Sequence, residues 1–86
     1  MKTYNGWTNY ETWNVALWLD NDEGTYNYVR EMAGESANEY DLAVQLQAFV
    51  EEMAPELDAS MFADLLGAAL NNVEWSEIAR NILSES

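Results

Sequence analysis

The amino-acid sequence predicts an all-α protein: a single compact domain of four to five short helices over residues 1–86, with an N-terminal arm at 1–8. Three observations carry that expectation. Apolar residues recur at helical spacing almost throughout, and no segment alternates with period two for long enough to argue a strand. A chain of 86 residues can build one small hydrophobic core. Hydrophobic residues make up 49% of the chain and aromatics 13%. That is apolar surface of a kind a disordered acidic tail lacks.

The elements follow in order. Thr8-Asn9-Tyr10-Glu11 reads as a capping box, with the Thr8 hydroxyl accepting from a free amide and Glu11 reaching back. A first helix is expected over about 9–20. Trp13, Val15, Ala16, Leu17, Trp18 and Leu19 cover most of its circumference, which predicts the central and most buried helix. Asp20 to Gly24 form the break and the next cap, where acids suit the positive end of a helix dipole. The second helix, about 22–33, presents Tyr26, Val29, Met32 and Ala33, and Gly34 is expected to end it. Ser36-Ala37-Asn38-Glu39 is a second capping box. It opens a helix at about 37–54 with Leu42, Leu46, Phe49, Val50 and Met53 inward, and Pro55 stops it.

Asp58 or Ser60 is expected to cap a fourth helix, to about residue 71, with Phe62, Leu65, Leu66, Ala69 and Leu70 inward. Gly67 inside it costs about 1 kcal/mol relative to Ala, which suggests either a close backbone approach or a tolerated weakness. Asn71 or Asn72 caps the last helix, to about residue 83, with a stripe of Trp75, Ile78, Ile82 and Leu83.

Composition narrows function before any motif is read. The chain has no Cys and no His, so it lacks a thiolate nucleophile, a cysteine zinc site and the commonest general base. The expectation is a protein that is not an enzyme and needs no cofactor or metal. Asp+Glu 16 stand against Lys+Arg 3, a net charge of -13. Three cations cannot neutralise a row of phosphates, so direct nucleic-acid binding is not expected, nor is binding to an anionic membrane face. The start lacks the apolar core of a signal peptide, and the longest apolar run, Val15 to Leu19, falls far short of the roughly 20 residues of a membrane span. A cytoplasmic protein is the expectation.

Two constellations invite chemistry. With Asp20 as loop position one, Asp22 and Glu31 fall where an EF-hand wants ligands. The pattern fails at Gly24 and Thr25, because the sharp turn needs its glycine one residue later. A helix cap followed by a solvated turn explains the same residues. Glu51 with Glu52, or Glu56 with Asp58, could supply a glycosidase acid and base, yet sixteen acids place some pairs by accident and so small a domain has little room for a cleft.

Seven of the eleven aromatics lie in the first 34 residues. Trp13, Trp18 and Trp75 read as core. Trp7 and Tyr10 either staple the arm down or stay exposed as interface anchors.

Charge is distributed unevenly along the chain. Residues 1–34 hold five acids and two bases, whereas residues 35–86 hold eleven acids against Arg80 alone. Few of those acids have a cation within helical reach, so i,i+4 pairing does not account for them. Self-repulsion lowers stability, and a benefit outside the fold is implied. Imitation of nucleic acid is one such benefit. A compact chain of this length is roughly 30 Å across, and duplex DNA carries roughly 18 charges over that distance.

The segment Tyr4-Asn5-Gly6-Trp7-Thr8-Asn9-Tyr10-Glu11-Thr12-Trp13-Asn14-Val15-Ala16-Leu17-Trp18-Leu19-Asp20-Asn21 resembles the opening of a small family of uncharacterised proteins from bacteriophages, plasmids and integrated elements. The stretch from Ala63 to Ala79 resembles the C-terminal segment of the same family. What the resemblance implies is a setting. Small acidic proteins of mobile elements include inhibitors of restriction enzymes and CRISPR effectors, several of which imitate DNA.

The expected function is therefore binding and inhibition of a host DNA-handling defence complex, by occupying a basic nucleic-acid groove. Its partner would be the basic surface of a host protein or nucleoprotein complex. The expected contacts are Glu51, Glu52, Glu56, Asp58, Glu74 and Glu77, with Trp7 and Tyr10 as an apolar anchor. The alternative is an accessory or structural protein, a homodimer, that self-associates through its aromatic N-terminal half.

Overall fold

The structure is a computed structural model and describes residues 3–54 and 60–85. Its elements are α1 (Tyr10–Asn21), α2 (Glu23–Glu35), α3 (Glu39–Met53), α4 (Met61–Asn71) and α5 (Trp75–Ser84). Among the described residues the fold is all-α, five short helices with no sheet. The stop expected at Pro55 and the alternative cap Asp58 lie outside the described residues.

Polar side chains set where the first four helices begin. Asn9, Asp22, Asn38 and Ser60 each take extended backbone and accept the amide three residues on, from Thr12, Thr25, Asp41 and Ala63. Two capping boxes shift as a result. Asn9 rather than Thr8 caps α1, and Glu11 turns away to accept from Asn72 Nδ2 at 3.2 Å. At α3, Asn38 caps while Asp41 Oδ2 accepts from the Ala37 amide at 3.0 Å. Ser36 instead donates back to the Met32 carbonyl. Gly34 does not end α2, which runs on to Glu35. Helix α5 has Glu74 at its N-cap with no side-chain cap hydrogen bond, and neither Asn71 nor Asn72 serves.

The core lies between α3 and α5, the most extensively packed pair, with α2 and one stripe of α1 closing over it. Leu42, Leu46, Ile78 and Ala79 are fully buried, with Val29, Ala16, Leu19 and Ile82 around them. Helix α1 is therefore not the central helix. Thr12, Ala16 and Leu19 are buried and Val15 packs against the core, whereas Leu17 faces out and Trp18 is 66% exposed. An apolar circumference does not oblige burial when neighbours cover a single side. Trp75 is buried as expected, and Trp13 is half-buried.

Helix α4 departs furthest from expectation. None of its residues is buried, and Phe62 and Leu65, expected inward, are 65% and 60% exposed. Its C-terminal end is held by Leu70, packed against the core cluster, and by the buried Val73 beyond it. Met53, expected inward on α3, is exposed as well. A Cβ added at Gly67 meets nothing within 4 Å, so no backbone approach explains that glycine. The radius of gyration is 13.2 Å, above the roughly 12 Å of a compact chain of this length. No helix among the described residues is long and apolar enough to cross a membrane.

Candidate interaction surface

The N-terminal arm is fastened to the body. Tyr4 and Trp7 exchange backbone hydrogen bonds of 2.7 and 2.8 Å around Asn5 and Gly6. Both central residues have positive φ, 48° and 89°, the geometry of the two-residue turn that Asn-Gly favours. Tyr4, Tyr10 and Trp13 then form a ring cluster with centroids 5.0–5.6 Å apart. Trp7 is half-buried against the core cluster, in a groove of about 300 Å³ shared with Glu77, Arg80, Asn81 and Ser84. Of the two roles open to Trp7 and Tyr10, Trp7 takes the staple. Tyr10 is in the ring cluster but keeps half its surface open.

Thr12 joins the arm's helix to α5. It is fully buried, donates to Asn9 Oδ1 at 2.6 Å and accepts from the Glu74 amide at 2.9 Å. Asn9 Nδ2 donates in turn to the Asn72 carbonyl at 2.7 Å. The start of α1 is thereby pinned beside the turn between α4 and α5.

The acidic residues expected to bind a partner occupy two neighbourhoods. Glu51 and Glu52 are exposed on the last turn of α3. Gln47 donates to Glu51 at 3.3 Å and lines, with Tyr40, Val44 and the exposed Glu74, a groove of about 250 Å³ between α3 and α5. Glu74 lines that groove, and Glu51 is linked to it only through Gln47. Glu77 lies with the arm, its Oε1 accepting from the Thr8 amide at 3.1 Å. Its first duty is structural. Glu56 and Asp58 lie outside the described residues.

The two described cations are engaged. Arg30 contacts Glu85 at 2.6 Å and Asp20 at 3.7 Å, with its guanidinium 4.3 Å over the Tyr26 ring. Arg80 pairs with Glu39 at 3.1 Å, and that hydrogen bond and charge raise its pKa above the ordinary arginine value. Asp22 caps α2. The Thr25 hydroxyl and then the Thr25 amide, both donating to it, lower its carboxyl below the ordinary aspartate value. Among the described residues no group of three or more Asp or Glu is placed to hold a metal ion.

A second surface escaped the sequence reading. Tyr10, Glu11, Asn14 and Val15 of α1 face Leu66, Ala69 and Leu70 of α4 across a mostly apolar groove of about 150 Å³, with Val73 at its end. Trp18 continues the α1 wall, being three residues beyond Val15 and four beyond Asn14. Phe62 continues the α4 wall, four residues before Leu66. Both side chains are about two-thirds exposed. The signal for this surface was the breadth of the apolar arc on α4. At 100° per residue it covers about 220°, well over what packing one side requires.

No curated protein and no solved structure matches the chain. The arm, the helices and all three grooves fall within residues 1–85, over which the chain matches one family model, and it belongs to that family of unknown function (DUF7249).

Proposed function

We propose that the protein binds and inhibits a DNA-handling defence complex of its host, of restriction or CRISPR type, by seating its acidic surface in a basic nucleic-acid groove. The observation that supports the reading most is the position of Glu51 and Glu52. They crowd the negative end of the α3 dipole, where anions disfavour the helix. Neither is in an ion pair among the described residues. No helix carries a basic residue in its last turn. The fold gains little from acids there beyond the exposed hydrogen bond from Gln47 to Glu51, whereas a cationic partner gains from both.

Charge density suits the role. The body is 39 Å long, a length of duplex that carries roughly 23 charges, against a net of -13 for the chain. About half the density of DNA is enough for Coulomb steering into a groove that tolerates a phosphate backbone.

The test is expression in cells that carry an active restriction or CRISPR system, scored by transformation with targeted plasmid. The wild-type chain should raise transformation. A variant carrying Glu51→Lys, Glu52→Lys and Glu74→Lys should not, while keeping the wild-type circular dichroism. Glu77 is left intact because it holds the arm. Full relief of the defence by the reversed variant, or no relief by the wild type, refutes the reading.

A further inference from the structure

From the groove between α1 and α4 we infer that the protein recognises a cationic amphipathic helix of its partner, through Trp18, Phe62, Leu65 and Leu66. The inference rests on the basic-partner reading above and adds to it an apolar anchor that a purely electrostatic decoy does not need.

The unpartnered face is broad. Met61, Phe62 and Leu65 of α4 and Trp18 of α1 are each 60% exposed or more, on the most apolar helix of the chain. Leu66, Ala69 and Leu70 deepen that face into the groove, whose volume of about 150 Å³ matches a closed apolar cavity that takes a benzene-sized group. One Leu, Met or Phe side chain of a partner fits, with its helical neighbours one turn away reaching Trp18 and Phe62. Spacing of i, i+3, i+4 and i+7 is how an amphipathic helix lies in such a groove.

Charge decides which helix. The groove holds one ionised side chain, Glu11. No lysine or arginine lines it, and the described cations, Arg30 and Arg80, are committed elsewhere. A second copy of this chain would bring another body of charge -13 against the first, and both cations among the described residues are already paired within the chain. An acidic or neutral helix gains nothing from the field. A helix with an apolar stripe flanked by Lys or Arg satisfies both features of the surface.

The experiment is calorimetric titration of the full chain with two 18-residue peptides of identical Leu and Lys content, below the concentration at which either self-associates. One has Leu at helical spacing; the other is scrambled so that no stripe forms. The patterned peptide should bind at least tenfold more tightly. Phe62→Asp with Leu65→Asp should erase that preference while leaving the thermal midpoint unchanged. Should that pair disturb folding, Trp18→Ser on the opposite wall should reduce the preference alone. Equal affinity for the two peptides overturns the anchor while leaving the electrostatic function standing. Undiminished preference in a folded Phe62→Asp, Leu65→Asp variant also overturns it. So does a dimer in sedimentation equilibrium that the same substitutions dissociate, because a second copy would then be the occupant.

Discussion

Helices α4 and α5 are consecutive and nearly equal in length, yet α5 buries Trp75, Ile78, Ala79 and Ile82 while α4 buries no residue. The more apolar helix is the less buried one. On α5 the apolar residues share one stripe, and Glu77, Arg80 and Asn81 mark the opposite side. On α4 only Asp64, Gly67 and Asn71 interrupt an apolar surface that one neighbour cannot cover. Periodicity directs a helix into a core, and surplus hydrophobicity beyond one face is left for something else to cover.

The comparison breaks most plainly in equilibrium unfolding. Ile78→Ala should cost about 2–5 kcal/mol, as for a fully buried branched side chain. Phe62→Ala should change stability by no more than about 0.5 kcal/mol, as for an exposed site. Similar losses at both sites would mean that α4 is packed as α5 is.

Thr12→Val comes next, at about 1–3 kcal/mol, because it leaves the Glu74 amide without its acceptor at the start of α5 and removes a fully buried hydroxyl from its partners. Urea midpoints read this directly, and a neutral substitution would remove Thr12 from its place as the joint between α1 and α5.

Two smaller substitutions should stabilise. Gly67→Ala should add about 0.5–1 kcal/mol, since its Cβ enters open space and the helical backbone gains. A loss would reveal a neighbour on α4. Glu52→Lys should add roughly 0.3–1 kcal/mol at low salt, fading as salt rises, because it puts a cation at the negative end of α3. Stabilisation there alongside weakened partner binding would separate what the fold wants from what the surface is for.

What was legible in the sequence follows the same division. The stripes of Leu42 with Leu46 and of Trp75, Ile78 and Ile82 could be read because polar residues alternate with them at helical spacing. Trp18, Phe62 and Leu65 could not be placed, since a helix apolar on two sides carries no mark of which side its neighbours take. The turn at Asn5-Gly6 that fastens the arm came from the structure, although Asn-Gly is a dipeptide that favours it. Thr12 had no such signal. Its partner Glu74 lies 62 residues away, and a buried hydroxyl looks like any other in the chain. That Glu74 lines a groove with Tyr40, Val44 and Gln47 of α3 is likewise a fact of helix order in space, which spacing along one helix does not encode.

Hydrogen exchange resolved by residue, in the free chain and with the patterned cationic peptide, tests the central claim most directly. The account predicts that amides of Met61 to Leu66 exchange through local opening while those of Ile78 to Ile82 wait for global unfolding, and that the peptide protects the former. Equal protection of α4 and α5 in the free chain, or no added protection of α4 with peptide present, would contradict it.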